Sequence, residues 1–151
     1  MFKRLVKFYR WPLSFKLLLL EAIYLSILSE FYLRFNGYQS IKSLHENREV
    51  SGQILESELA PMRRIAKAMK LLEKFAPWRP KCYNRALTAK KMLLKRGVDT
   101  TMHIGFIKKE ESFEGHAWLT YKGVLVTGFV KGLQNYHKLE GRDILQNYKT
   151  S

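Results

Sequence analysis

The sequence predicts an α+β fold in which helices come first and a small antiparallel sheet follows. Three observations predict it. Between Glu58 and Phe75, the residues Leu59, Met62, Ile65, Ala66, Met69, Leu72 and Phe75 recur at three-and-four spacing, the mark of one apolar helix stripe. After Gly97 the pattern becomes alternation, with Val98, Thr100, Met102, Ile104 and Phe106 set against Asp99, Thr101, His103 and Gly105. Lys122-Gly123 then separates His116–Tyr121 from Val124–Val130, as a two-residue hairpin turn does, although Lys-Gly is a weaker turn signal than Asn-Gly.

Residues 1–35 read as two helical pieces broken near Trp11-Pro12, with Pro12 suited to a first helical turn and Ser14 a competing cap. The second piece runs from Leu13 to about Phe35 and stops at Asn36-Gly37. Its leucine-rich run is interrupted by Glu21 and Glu30. A membrane span needs about 20 largely uncharged residues, and a carboxylate at the bilayer centre costs about 2.5–3.5 kcal/mol. The expectation is therefore a buried packing helix. No small-residue cleavage site marks a signal peptide. The basic start (Lys3, Arg4, Lys7, Arg10) leaves peripheral contact with an anionic membrane open.

Residues 38–57 are polar and weakly periodic, a loop or linker. The expected organisation is an N-terminal helical region and linker over 1–57, then a core over 58–151. On the 58–75 helix, Arg63, Lys67, Lys70 and Lys74 form a basic ridge, read first as a solvated face and second as a docking ridge for an acidic peptide. Pro77-Trp78-Arg79-Pro80 ends that helix, because a residue before proline is pushed out of the α region. The next helix spans about Lys81 to Arg96 with Gly97 as its cap, and Ala86, Leu87, Ala89, Leu93 and Leu94 suit burial. Lys108 to Glu114 reads as a charged turn, and the tail from Gly132 to Ser151 as one more short strand or turn.

The balance of 27 Lys and Arg against 13 Asp and Glu gives a net charge of +14, which calls for an anionic partner or an anion-tolerant surface. No zinc finger, RNP motif or P-loop accompanies it, so nucleic acid is not expected. An acidic peptide or protein fits the same charge. The single cysteine excludes an internal disulfide and a multi-cysteine zinc site, and fits a reducing, cytoplasmic setting. No metal or other cofactor is expected.

That cysteine, Cys82, falls where the proline-punctuated turn hands over to a helix. A thiol titrates near 8.5 and attacks carbonyls as thiolate. A helix N-terminus lowers its pKa, and so does a nearby imidazolium. Arg79, Lys81 and Arg85 add positive potential. The chain has four histidines, His45, His103, His116 and His137. His116 sits on a strand between small Gly115 and Ala117, which let another element approach; His103 lies on the adjacent strand and faces the same way if the register allows. Cysteine at a helix start with histidine on a strand is the skeleton of a thiol enzyme, although core cysteines and structural histidines are the commoner case.

Trp78-Arg79-Pro80-Lys81-Cys82, Arg85-Ala86-Leu87, Leu93-Leu94-Lys95-Arg96-Gly97-Val98, Ile104-Gly105 and Gly115-His116-Ala117-Trp118-Leu119 with Gly123 together resemble the lasso-peptide leader peptidases. These are B-type maturation proteins with a papain/transglutaminase-like fold. The resemblance covers about Leu59 to Val130, and the basic, leucine-rich N-terminal helices are similar to those of the stand-alone form. It implies a cysteine peptidase with Cys82 as nucleophile and His116 as base. Such an enzyme removes the leader from a ribosomally made precursor peptide, freeing an amine for an ATP-dependent cyclase. The implied partners are the precursor, a separate RRE-type leader-recognition protein and the cyclase. Family members usually carry an aspartate on the following strand to orient the histidine, whereas Val124-Leu125-Val126-Thr127-Gly128-Phe129 holds no carboxylate. Thr127, a backbone carbonyl, Asn135 or the more remote Glu114 are the candidate substitutes. The Cys82 backbone N–H and the Trp78 indole N–H are the candidate oxyanion donors. Two other readings stand beside this one: an acyl transferase with the same pair, and a non-catalytic basic module binding nucleic acid or a membrane.

Overall fold

A computed structural model describes residues 11–36, 51–109 and 112–138. The first helical piece, most of the 38–57 linker with His45, and the tail beyond Lys138 lie outside the described residues. Helix α1 covers Leu13–Asn36, and Gly37 of the expected stop lies outside the described residues. Pro12 stands just outside the helix, and its carbonyl accepts the Phe15 and Lys16 N–H groups at 2.9 and 3.2 Å. Ser14 caps nothing; its hydroxyl accepts from Arg64 Nη2 at 3.0 Å. One side of α1 (Phe15, Leu18, Ala22, Ser26, Ser29) is buried. The other is not. Leu13, Leu17, Leu20, Tyr24, Phe31 and Phe35 are exposed, so the expected packing helix is buried on one side only. Among the described residues no helix is long and apolar enough to cross a membrane.

Helix α2 covers Glu56–Phe75 and α3 covers Cys82–Leu94. Met62, Ile65, Met69 and Leu72 of α2 are buried as their spacing requires, whereas Phe75 is exposed. Helix α3 buries Ala86, Leu87, Ala89, Met92 and Leu93 but leaves Leu94 exposed. Fully burying a side chain such as Ile65 or Leu93 contributes about 1.5–3 kcal/mol. Gly97, at φ +77, closes α3: its N–H reaches the Leu94 carbonyl and the Val98 N–H reaches that of Leu93, both at 3.0 Å.

Strands β1 (Thr101–Lys109), β2 (Ser112–Tyr121), β3 (Val124–Thr127) and β4 (His137–Lys138) form one antiparallel sheet in the order β3-β2-β1-β4. The expected charged turn over 108–114 is shorter than its charges suggest, because pairing persists as far as Lys109 opposite Ser112. Lys122 and Gly123 take φ of +48 and +80, the left-handed pair that a tight hairpin needs. The register puts Met102, Ala117, Leu119 and Tyr121 on the face packed against the helices, and all four are in the core. His103, His116 and Trp118 share the other face. Gly105 lets Trp118 lie flat there, since a Cβ would come within 2.9 Å of the indole and 2.8 Å of the His137 carbonyl oxygen.

Candidate active site

Cys82 is the first residue of α3, and the preceding Lys81 makes no side-chain capping bond. The N–H groups of the first helical turn are therefore not taken by a cap, and they face the sulfur's end of the helix. The turn that delivers Cys82 is held tightly. Ala76, before Pro77, is extended (φ −69, ψ 126), as its proline demands. Arg79, before Pro80, is left-handed at φ +45, a strained state for a side-chain-bearing residue. Its N–H bonds to the Ala76 carbonyl at 3.1 Å.

His116, on β2, is buried and hydrogen-bonded to the Cys82 side chain. Its Nε2 meets the Gly128 carbonyl oxygen at 2.8 Å. That contact makes Nε2 the donor and fixes the ring's tautomer. Gly128 follows β3 at φ +86, and a Cβ there would sit 2.7 Å from Trp118 Cβ and 2.8 Å from the Ala117 oxygen. Only glycine lets the chain turn its carbonyl onto the imidazole at this distance. A backbone carbonyl thus holds the imidazole, next to a strand that offers no carboxylate.

The electrostatics follow from these contacts. Burial pushes the Cys82 thiol up, but hydrogen bonds from His116 and the Ala117 N–H, the imidazolium charge and the Tyr83 N–H outweigh it; the thiol lies below its ordinary value. His116 is raised by its bond to Cys82; burial opposes this, while the Gly128 carbonyl and the thiolate charge support it and Arg85 works against it. Each partner thus favours the charged form of the other.

The remaining sequence candidates fall elsewhere. Thr127 is buried with its Oγ1 unpaired among the described residues, and it lines the cleft without bonding the ring. Trp78 Nε1 donates to Ser26 Oγ at 3.1 Å, so the indole N–H is directed at α1 and not at the sulfur. Glu114 accepts from the Tyr136 hydroxyl at 3.1 Å. Asn135 lies in a short 3-10 turn, exposed. His103 does face the same way as His116, but Trp118 stands between them, and His103 Nε2 meets Thr120 Oγ1 at 2.7 Å. His137 packs on Phe106. Gly115 has no close neighbour to accommodate, contrary to the expectation that it admits another element. Among the described residues no group of three or more His, Cys, Asp or Glu side chains gathers to hold a metal ion.

Sequence reasoning missed a buried polar network beside the site. Asn84 Nδ2 donates to the Ser26 carbonyl (3.0 Å) and to Glu30 Oε2 (2.9 Å), while Ser26 Oγ donates to Asn84 Oδ1 at 2.8 Å. With Trp78 it ties α1 to the first turn of α3 and so fixes where the sulfur sits. A cleft of about 330 Å³ opens beside Cys82, walled by Met69, Ala86, Leu125 and Val130, with Lys70 and the ion-paired Arg85 and Glu73 among its lining residues.

No curated protein and no solved structure gives a significant match. A family model described as the transglutaminase-like superfamily matches residues 25–141, from the middle of α1 to beyond β4. That span takes in the cysteine at its helix start, the strand histidine and the glycine that orients it, and the chain belongs to the transglutaminase-like superfamily.

Proposed function

We propose that this protein is a cysteine peptidase that removes the leader from a ribosomally made lasso-peptide precursor before cyclisation. The observation that carries the reading is the Cys82–His116 pair, with the imidazole held by Gly128 and a cleft open beside the sulfur. Superfamily membership is compatible with a peptidase or an acyl transferase; the likeness of the Cys82 and His116 motifs to leader peptidases favours the first.

The Cys82 thiolate attacks the scissile carbonyl carbon, and the oxygen gains the charge near the N–H groups that open α3. As the C–N bond breaks, His116 gives its proton to the departing amine, leaving a thioester. Water then attacks the thioester, returns a proton to His116, and releases the leader as a carboxylate with the thiolate restored. The amine-ended core passes to the cyclase. A separate recognition protein presents the leader.

The test is cleavage of a precursor with recognition protein present, read by mass. Two fragments whose masses sum to the precursor plus one water support hydrolysis. Cys82→Ala, with an unchanged thermal midpoint, should lose at least about a thousandfold in rate. Cleavage by that variant at the parent rate overturns the proposal. A product carrying the acyl group on an added amine assigns the chain to the transferases instead.

A further inference from the structure

The outer side of α1 is an apolar ridge. At 3.6 residues per turn Leu13, Leu17, Leu20, Tyr24, Phe31 and Phe35 fall within about a sixth of the helix circumference, and each is between 57% and 82% exposed. The ridge runs the whole helix, about 33 Å at 1.5 Å per residue. Scattered exposed leucines need no explanation, but a continuous line of them does.

Charge around the ridge narrows what covers it. Lys16 and Arg34 flank one side by their positions on the helix. On the other, Lys91 Nζ lies 5.7 Å from the Tyr32 ring, and Lys95 and Arg96 reach Glu21 at 3.3 and 2.6 Å. Glu21 is offset by those cations, whereas Glu30 accepts from the neutral Asn84 amide and keeps its charge. With both carboxylates counted, Lys16 and Arg34 on one flank and Lys91, Lys95 and Arg96 on the other still leave the rim with an excess of cations. A second copy of the chain would bring cations against cations along the ridge, which disfavours self-pairing.

We infer that α1 lies along an anionic lipid surface, with its leucines and phenylalanines below the headgroups and its rim cations at headgroup level. A bilayer needs only a continuous apolar ridge and complementary charge, both present here. Tyr24 and Tyr32 have the apolar body and polar tip that suit that depth. The chain's net charge of +14 acts in the same direction. The contact is peripheral, since α1 is not apolar enough to span. This inference stands apart from the peptidase reading.

The experiment is co-sedimentation of the full chain with vesicles of phosphatidylcholine alone or with about one third phosphatidylglycerol. Binding to the anionic vesicles should exceed that to the neutral ones by about tenfold or more and weaken with added salt. Leu17→Asp with Leu20→Asp should abolish it while circular dichroism and the thermal midpoint stay unchanged. As a reporter that leaves the ridge apolar, Tyr24→Trp emission should shift to the blue on anionic vesicles and be quenched by brominated acyl chains. Absence of binding, equal binding to both vesicle types, or an emission maximum that does not move overturns the inference. So does light scattering of a dimer that the aspartate pair dissociates, or a requirement for an acidic protein to cover the ridge before any vesicle binding is seen.

Discussion

At the scale of single residues, the chemistry depends on a sulfur, an imidazole and one glycine carbonyl. A thiol held below its ordinary value is a thiolate at lower pH than free cysteine, and a raised imidazole keeps its proton to higher pH. Both shifts favour the charged pair, thiolate beside imidazolium, over the neutral one. Alkylation of Cys82 by iodoacetamide should titrate with an inflection below that of a free thiol. In His116→Ala the burial that raises the thiol remains while its main lowering contacts go, so the inflection should move upward; an unchanged profile would sever the two side chains functionally. Gly128 offers a second test. Ala at φ +86 with atoms already 2.7 and 2.8 Å from its Cβ must displace β3. The expected outcome for Gly128→Ala is a loss of about 1–3 kcal/mol in urea unfolding and an upward shift of the thiol inflection, because the imidazole loses its orienting carbonyl. A variant that lost stability but kept the parent thiol profile would limit Gly128 to packing.

At the scale of elements, the helices and the hairpin were legible because each has a period. The stripe of α2, the Gly97 stop of α3 and the Lys122-Gly123 turn all follow from local rules. The Ser26–Asn84–Glu30 network was not legible, since its partners meet only after α1 has docked on α3 and their letters resemble any polar surface. Gly128 was visible as a glycine, but a backbone carbonyl carries no letter of its own. Another junction of this kind is Glu58, in the first turn of α2. Its carboxylate accepts from the Tyr121 hydroxyl at 2.6 Å, the Leu55 N–H at 2.8 Å and Lys122 Nζ at 3.0 Å, clamping the helix start to the β2–β3 turn. These bonds, the Tyr121 hydroxyl foremost, lower its pKa to about 2. A depressed carboxylate stabilises the fold fully above its unfolded value and loses that contribution as pH falls through its folded one. The clamp should therefore be intact above about pH 4.5 and fail as pH drops toward 2. Acid titration of stability should be flatter across this window in Glu58→Gln than in the parent. Equal slopes would show that the carboxylate is not what acid releases.

At the scale of the whole molecule, composition showed that the charge was unbalanced but not where it lay. Arg63, Lys67, Lys70 and Lys74 are all exposed along one side of α2, and Lys70 reaches the cleft beside Cys82. The lining's one carboxylate, Glu73, is paired with Arg85, so Lys70 leaves the cleft with an excess of positive charge. A field of this sign draws acidic chains toward the sulfur and should be felt mainly in the encounter, because salt screens it over about 10 Å at 0.1 M. For an acidic substrate peptide, kcat/KM should fall by about tenfold between low and high salt with kcat nearly constant, and Lys70→Glu should remove most of that dependence. A neutral peptide with the same scissile residues supplies the contrast: its kcat/KM should respond little to salt or to the charge reversal. If both peptides respond alike, salt is acting on the fold or on the Cys82–His116 pair itself, and the basic ridge is only a solvated helix face.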